Sequence, residues 1–237
     1  RFCHLTYGDG TKLRSGDHTI WPLERAQQGD PLGPLLTIQP LLRSLSSELI
    51  AAYMDDLTLG GAVSAVAADA TTIPSEGVKY GLLLNSSKCE AITPCGFSAH
   101  SALDGFLQFT VDTATLLGAP LSTGEALTEC LTTRCNDLCR AVKRLKLISA
   151  HDALVLLKNS LSAPKLQYTL RAACCEGHNL LTTFDNTLRS ALCSICNVTL
   201  TDEQWLQASL PVRAGGLGIR RVSSLASSAF LASSAFL

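Results

Sequence analysis

"AAYMDDLTLGG" occupies Ala51–Gly61 and sets two carboxylates, Asp55 and Asp56, side by side at the end of an apolar run. Adjacent carboxylates repel each other, and burial adds a desolvation cost to both. The pattern resolves as a β-hairpin: Leu49 to Tyr53 as one strand, Met54-Asp55-Asp56 as the turn, and Leu57 to Leu59 as the returning strand. Such a turn lifts both carboxylates out at its tip. Hard oxygen donors presented this way suit Mg²⁺ (or Mn²⁺), which completes its coordination with substrate phosphates. Neighbouring strand residues point to opposite faces, so Asp55 is assigned direct coordination and Asp56 the weaker role. Two metal ions roughly 3.5–4 Å apart would need a further carboxylate from a second strand.

The rest of the composition bounds the setting. The chain has 237 residues, 46% of them apolar and 16% charged, which points to a globular core rather than disorder. No apolar run reaches the length of a membrane span. The chain opens on Arg1 without a charged-then-apolar leader and reads as an excerpt whose upstream part is missing. Its ten cysteines are irregularly spaced, the pattern of reduced intracellular thiols. Cys135, Cys139, Cys193 and Cys196 have spacings that could make a four-thiolate zinc site. Cys130, Cys135 and Cys139, however, fall in an amphipathic helical pattern where cysteine is an ordinary small apolar residue, so zinc is not expected. Residues 1–100 carry 7 basic and 10 acidic side chains, and residues 101–237 carry 12 and 10. Within the second half Arg134, Arg140, Lys143, Arg144, Lys146, Lys158, Lys165 and Arg171 face only Asp137 and Asp152. That excess reads either as a phosphate-contacting face or as a solvated helix face.

Three regimes follow one another. Residues 1–95 mix short apolar runs with turns, as in an α/β layer; 96–122 are a connector ending in a strand over Val111 to Leu121; from 123 onward the pattern is helical. Gly29, Asp30, Pro31, Gly33 and Pro34 form a turn before a helix marked by Leu35, Ile38, Leu42, Leu45 and Leu49. A further helix follows the hairpin, from Val63 to about Gly81, and then a loop and strand that contain Lys88. In the second half Leu127, Leu131, Cys135, Leu138, Val142 and Leu145 form one apolar stripe. Ser149 and Asp152 read as a capping box for a helix through Leu154, Leu157 and Leu161, which Pro164 should kink or end. Leu181, Phe184, Leu188, Leu192 and Ile195 mark another helix, and Thr201 with Gln204 caps a short one.

Four segments in order make a more specific pattern: "AQQGDPLGPLL", "AAYMDDLTLGG", "GLLLNSSKCE" and "LLGAPL". They resemble successive motifs of reverse transcriptases of the non-LTR retrotransposon type. "HDALVLLKNSLSAPKLQYTLR" and "LPVRAGGLGIRRVSSLAS" resemble the thumb of the same elements. The resemblance implies an α+β fold: an incomplete polymerase palm, with an antiparallel sheet and helices, followed by a helical thumb. It implies an RNA template, a DNA primer and deoxynucleoside triphosphates as partners, no membrane, and a nuclear or cytoplasmic location. Residue by residue, Gln28, Gly29, Asp30 and Pro31 would lie under the templating pair, where glycine permits close backbone approach. Tyr53 would sit near the nucleotide or primer end, Asp55 and Asp56 would hold the metal, and Lys88 would neutralise or protonate the leaving pyrophosphate. "LLGAPL", with Leu117 and Gly118, would be the primer grip. Arg140, Lys143, Arg144 and Lys146 would follow the template–primer backbone.

The chain also departs from that pattern. The family's other metal-binding aspartate is expected upstream of Arg1, because Asp9 and Asp17 lie in polar turns and Asp30 belongs to another motif. Arg25 stands where the family has glycine, and "PLGPLLTIQPLL" is shorter than in relatives by about three residues, a helical phase change of roughly 60°. The alternative to an enzyme is therefore a catalytically inactive relic that keeps nucleic-acid binding alone.

Overall fold

The computed structural model describes residues 13–20, 33–94 and 100–234. The protein is a mixed α+β chain that divides into two compact units. The first comprises Arg1–Ala91 with Phe97–Leu107, and the second Ile92–Gly96 with Gln108–Leu237. The expected connector at 96–122 is thus split between them.

In the first unit β1 (Leu13–Ser15) and β2 (His18–Ile20) form a small antiparallel hairpin around Gly16 and Asp17. Helix α1 (Gly33–Leu42) leads to a second hairpin, β3 (Leu49–Tyr53) and β4 (Asp56–Gly60), and then to α2 (Val63–Gly77). Ile38 and Leu41 of α1 are buried, and the helix packs on α2 and β3. The expected stripe through Leu45 and Leu49 is not one helix. After Leu42 the amides of Ser46 and Ser47 bond the Asp69 carboxylate of α2 at 2.7–3.0 Å instead of continuing the ladder. Both serine hydroxyls donate to the same carboxylate. The chain is turned there, and Leu49 begins a strand. β5 (Glu90–Thr93) and β6 (Leu107–Thr110), strands that each cross the boundary of that division, pair with each other.

The second unit is built on a helical core. A two-residue hairpin, β7 (Thr115–Leu116) and β8 (Ala119–Pro120), stands where the single strand over Val111 to Leu121 was expected. Leu117 and Gly118 turn the chain with φ of 49° and 76°, and a turn with both central residues at positive φ folds a ribbon back on itself within two residues. Then come α3 (Glu125–Leu145), α4 (Ala150–Leu156), α5 (Ala163–Ala172), α6 (Asn179–Cys196), α7 (Asp202–Ser209) and α8 (Ala226–Ser234).

The apolar periodicity of these helices becomes their buried face. Leu127, Leu131 and Leu138 of α3 interlock with Leu181, Phe184, Leu188 and Leu192 of α6, with Leu166 and Leu170 of α5 nearby. Fully burying a side chain such as Phe184 contributes roughly 1.5–3 kcal/mol. Ser149 caps α4 by accepting from the Asp152 amide, and its hydroxyl donates to the Asp152 carboxylate at 2.7 Å, which replaces the reciprocal half of a capping box. Thr201 and Gln204 form a complete box at α7. The helix expected through Leu161 widens into a π turn at Leu157–Leu161, and α5 restarts after it with Pro164 in its first turn. Pro164 has no N–H to return to the preceding turn, so the first helix cannot run on. Among the described residues no helix is long and apolar enough to cross a membrane.

Candidate functional site

The β3–β4 register pairs Leu49 with Gly60, Ala51 with Thr58 and Tyr53 with Asp56, leaving only Met54 and Asp55 in the loop. The turn is therefore one residue shorter than Met54-Asp55-Asp56. Asp56 begins β4 and faces Tyr53 across the ribbon, where directly opposed side chains share a face with Cβ atoms about 5 Å apart. Asp55 belongs to the loop, so strand alternation does not decide which aspartate coordinates. Met54 has φ 57°, and with Asp55 outside the positive-φ set the loop has the II′ pattern that usually puts glycine first. A methionine there stores strain, of order 1–3 kcal/mol, at the base of the carboxylate pair.

Glycine closes the other end of the ribbon. A Cβ on Gly61, at φ 133°, would come within 3.2 Å of the Glu48 backbone nitrogen and side chain. The chain can pass Glu48 closely only without one.

Both carboxylates are exposed, as are Tyr53 (58%) and Met54 (61%). The pair supplies the hard oxygen donors that Mg²⁺ accepts, and one such ion needs only one or two carboxylates when phosphate oxygens complete its shell. Among the described residues no three His, Cys, Asp or Glu side chains gather as a metal site. The donors among the described residues thus fit one phosphate-shared ion and fall short of a complete two-ion site.

Lys88 ends a single 3₁₀ turn (Ser86–Lys88), not a strand, and β5 begins two residues later. Its ammonium is exposed and makes no ion pair, with Asp55, Asp56 or any other carboxylate among the described residues. Gln28, Gly29, Asp30 and Pro31 lie outside the described residues.

In the second unit the Leu117–Gly118 turn is held from behind. The Tyr168 hydroxyl of α5 donates to the Leu117 carbonyl at 2.7 Å. Sequence reasoning missed Tyr168, whose polar end only tertiary contact explains. The four basic residues assigned to backbone contact do not form one row. Arg140 and Arg144 line a groove of about 510 Å³ with Lys165, Ser160 and the apolar Leu156 and Leu161. Lys143 lies about 100° and Lys146 about 160° around α3 from Arg144, away from that groove. Asp137 sits among the cations, bonded by Arg140, at 3.3 Å from Lys165 and at 3.9 Å from Arg134. The Arg140 hydrogen bond and then that of Lys165 hold its carboxyl below the ordinary value. Part of the basic excess is therefore answered internally.

Among the described residues Cys135, Cys139, Cys193 and Cys196 do not gather as a metal site. Cys135 is buried and bonds the Leu180 carbonyl at 3.6 Å, while Cys139 and Cys196 are exposed. Burial, with a smaller contribution from Cys139, pushes the Cys135 thiol up, and burial pushes Cys175 up to about 11. Thiols raised in this way pack as apolar groups. No protein-family model and no curated protein sequence matches the chain.

Proposed function

We propose that the chain is part of an RNA-directed DNA polymerase of the non-LTR retrotransposon type. It contributes palm elements from the first unit and a thumb from the second to metal-assisted nucleotidyl transfer. The observation that carries this reading is the hairpin: a Tyr53–Asp56 pair closing a strained Met54-Asp55 loop, with both carboxylates in solvent. Strain retained at a tip that also bears two repelling charges marks a place where geometry is kept for use rather than for stability.

Asp55 and Asp56 would hold Mg²⁺ (or Mn²⁺), which when bound supplies Lewis acidity and charge neutralisation at phosphate oxygens. The exposed Tyr53 ring offers a flat apolar face to a nucleotide or primer end. Lys88, which has no carboxylate partner among the described residues, is available to give a proton or a positive charge to departing pyrophosphate. The Leu117–Gly118 turn offers backbone to a primer strand, and Arg140 and Arg144 offer cations to phosphates. A second reading, an inactive nucleic-acid-binding relic, is favoured by the lack of a third ligating carboxylate among the described residues.

Primer extension on a poly-rA template separates the two. It is run with the chain as it stands and with an N-terminal extension that adds a metal-binding aspartate. The polymerase reading expects extension in the second case and its loss, by at least about a hundredfold, in Asp55→Asn or Asp56→Asn. An extended chain that binds Mn²⁺ and primer–template yet adds no nucleotide leaves only the relic.

A further inference from the structure

A second groove of the helical unit, of about 460 Å³, lies where the π turn, the start of α5, the Gly218–Arg220 segment and α8 meet. Its walls carry Lys158, Arg220, Asn159 and Gln167, and the lining contains no carboxylate. Among the described residues the Lys158 ammonium, the Arg220 guanidinium and the Asn159 and Gln167 amides have no partner in hydrogen bond or ion pair. This differs from the Arg140–Arg144 groove, where Asp137 already pairs with Arg140 and Lys165.

The segment around the donors is built closely. Lys158 and Asn159 belong to the π turn, whose widened backbone swings these two positions out of α-helical phase; such turns recur at functional sites. The Ser162 hydroxyl, itself 1% exposed, donates to the Lys158 carbonyl at 2.7 Å and ties the turn shut. Gly218, at φ 78°, lets the lysine pass: a Cβ there would lie 2.9 Å from Lys158 Cε and 3.4 Å from its Nζ. The Gly218 amide is already spent on the Leu210 carbonyl at 2.9 Å, so the groove recognises through side chains and not through a backbone nest. Two cations and two amides with no internal acceptor describe a site for an oxyanion with several equivalent acceptor atoms.

We propose that this groove is a phosphate-binding subsite, with Lys158 and Arg220 supplying charge and Asn159 and Gln167 supplying neutral hydrogen bonds. Volume well beyond that of one phosphate leaves room for the attached sugar, so the phosphate can be free or part of a nucleic-acid strand. The site stands on the second unit alone and does not depend on the aspartate pair.

The test titrates the whole chain with inorganic phosphate and, separately, with a short fluorescent oligodeoxythymidine. Phosphate should move the amide resonances of Lys158, Asn159 and Gly218 in a saturable way. Lys158→Gln and Arg220→Gln should each weaken phosphate binding roughly tenfold. Asn159→Asp, an exposed substitution that adds a negative charge, should weaken it in the same direction, with melting curves confirming that each variant is folded. If the groove takes a strand, each lysine or arginine variant also lowers the salt slope of oligonucleotide binding by about 0.7; if it takes a free phosphate, that slope is unchanged. An adventitious ion only, with equal weak binding in all the variants, overturns the proposal. Both titrations are run without divalent metal or nucleoside triphosphate, which keeps this result separate from that of primer extension.

Discussion

Asp69 in the first unit and Asp185 in the second do the same mechanical job. Each is buried, at 3% and 5% exposure, and each gathers the N–H groups of a distant turn. Asp69 takes the amides and hydroxyls of Ser46 and Ser47; Asp185 takes the amides of Val222 and Ser223, at 2.8 and 3.1 Å, and the Ser223 hydroxyl. Their acidities diverge. Desolvation is the largest influence on both and pushes both upward. At Asp69 the serine hydrogen bonds outweigh it and the carboxyl lies below its ordinary value; at Asp185 desolvation wins and the carboxyl lies above. The difference follows what surrounds the clamps. Asp185 sits on the apolar stripe of α6 inside a dense core, whereas the described residues around Asp69 include few buried side chains and an exposed hairpin. Among the described residues, the second unit is held by packing, and the first by polar stitching around the ribbon that carries the candidate chemistry.

The most forceful way to break that contrast is to remove core volume. Phe184→Ala should cost about 3–5 kcal/mol in urea denaturation, against about 1 kcal/mol for Ile50→Ala in the hairpin. Equal costs would mean that the hairpin is packed as firmly as the core. Asp185→Ala comes next, at about 1–3 kcal/mol, because it leaves the buried Val222 amide without its acceptor.

The pH dependence sharpens the same comparison. Asp69, lowered on folding, contributes stability above its ordinary value of 3.8, and the contribution is lost as pH falls through the lower folded value. Asp185, raised on folding, contributes fully below 3.8 and loses that contribution as pH rises through its folded value. Asp69→Asn should therefore be least damaging in acid, and Asp185→Asn least damaging near neutrality. Urea midpoints measured between acid and neutral pH check both, and parallel profiles would erase the distinction. The smallest effect concerns the Leu117 turn. Leu117→Gly should raise stability by up to about 1 kcal/mol, because glycine adopts φ 49° without a Cβ clash, and a thermal melt reads it.

Much of this was legible from residue order. The stripe from Leu127 to Leu145 and the one from Leu181 to Leu192 are buried as read, and Ser149, Thr201 and Pro164 mark helix ends where expected. The hairpin is where Tyr53 and the two aspartates put it, but its loop is shorter by one residue because pairing extends to Asp56. The strand expected over Val111 to Leu121 is a hairpin, since nothing in a leucine announces positive φ. Asp185 was the most visible of the missed residues: it stands in phase with Leu181, Leu188 and Leu192, on the face that must be buried.

Periodicity, caps and turns depend on neighbours three or four places along the chain, so the amino-acid sequence alone determines the helices of the second unit and the ribbon bearing Asp55 and Asp56. Tertiary structure decided whatever joins distant places: the clamps across 22 and 38 residues, Tyr168 behind Leu117, and Lys165 brought against Asp137. Those contacts depend on which helix faces meet. That is settled by packing a common core, which no local pattern encodes.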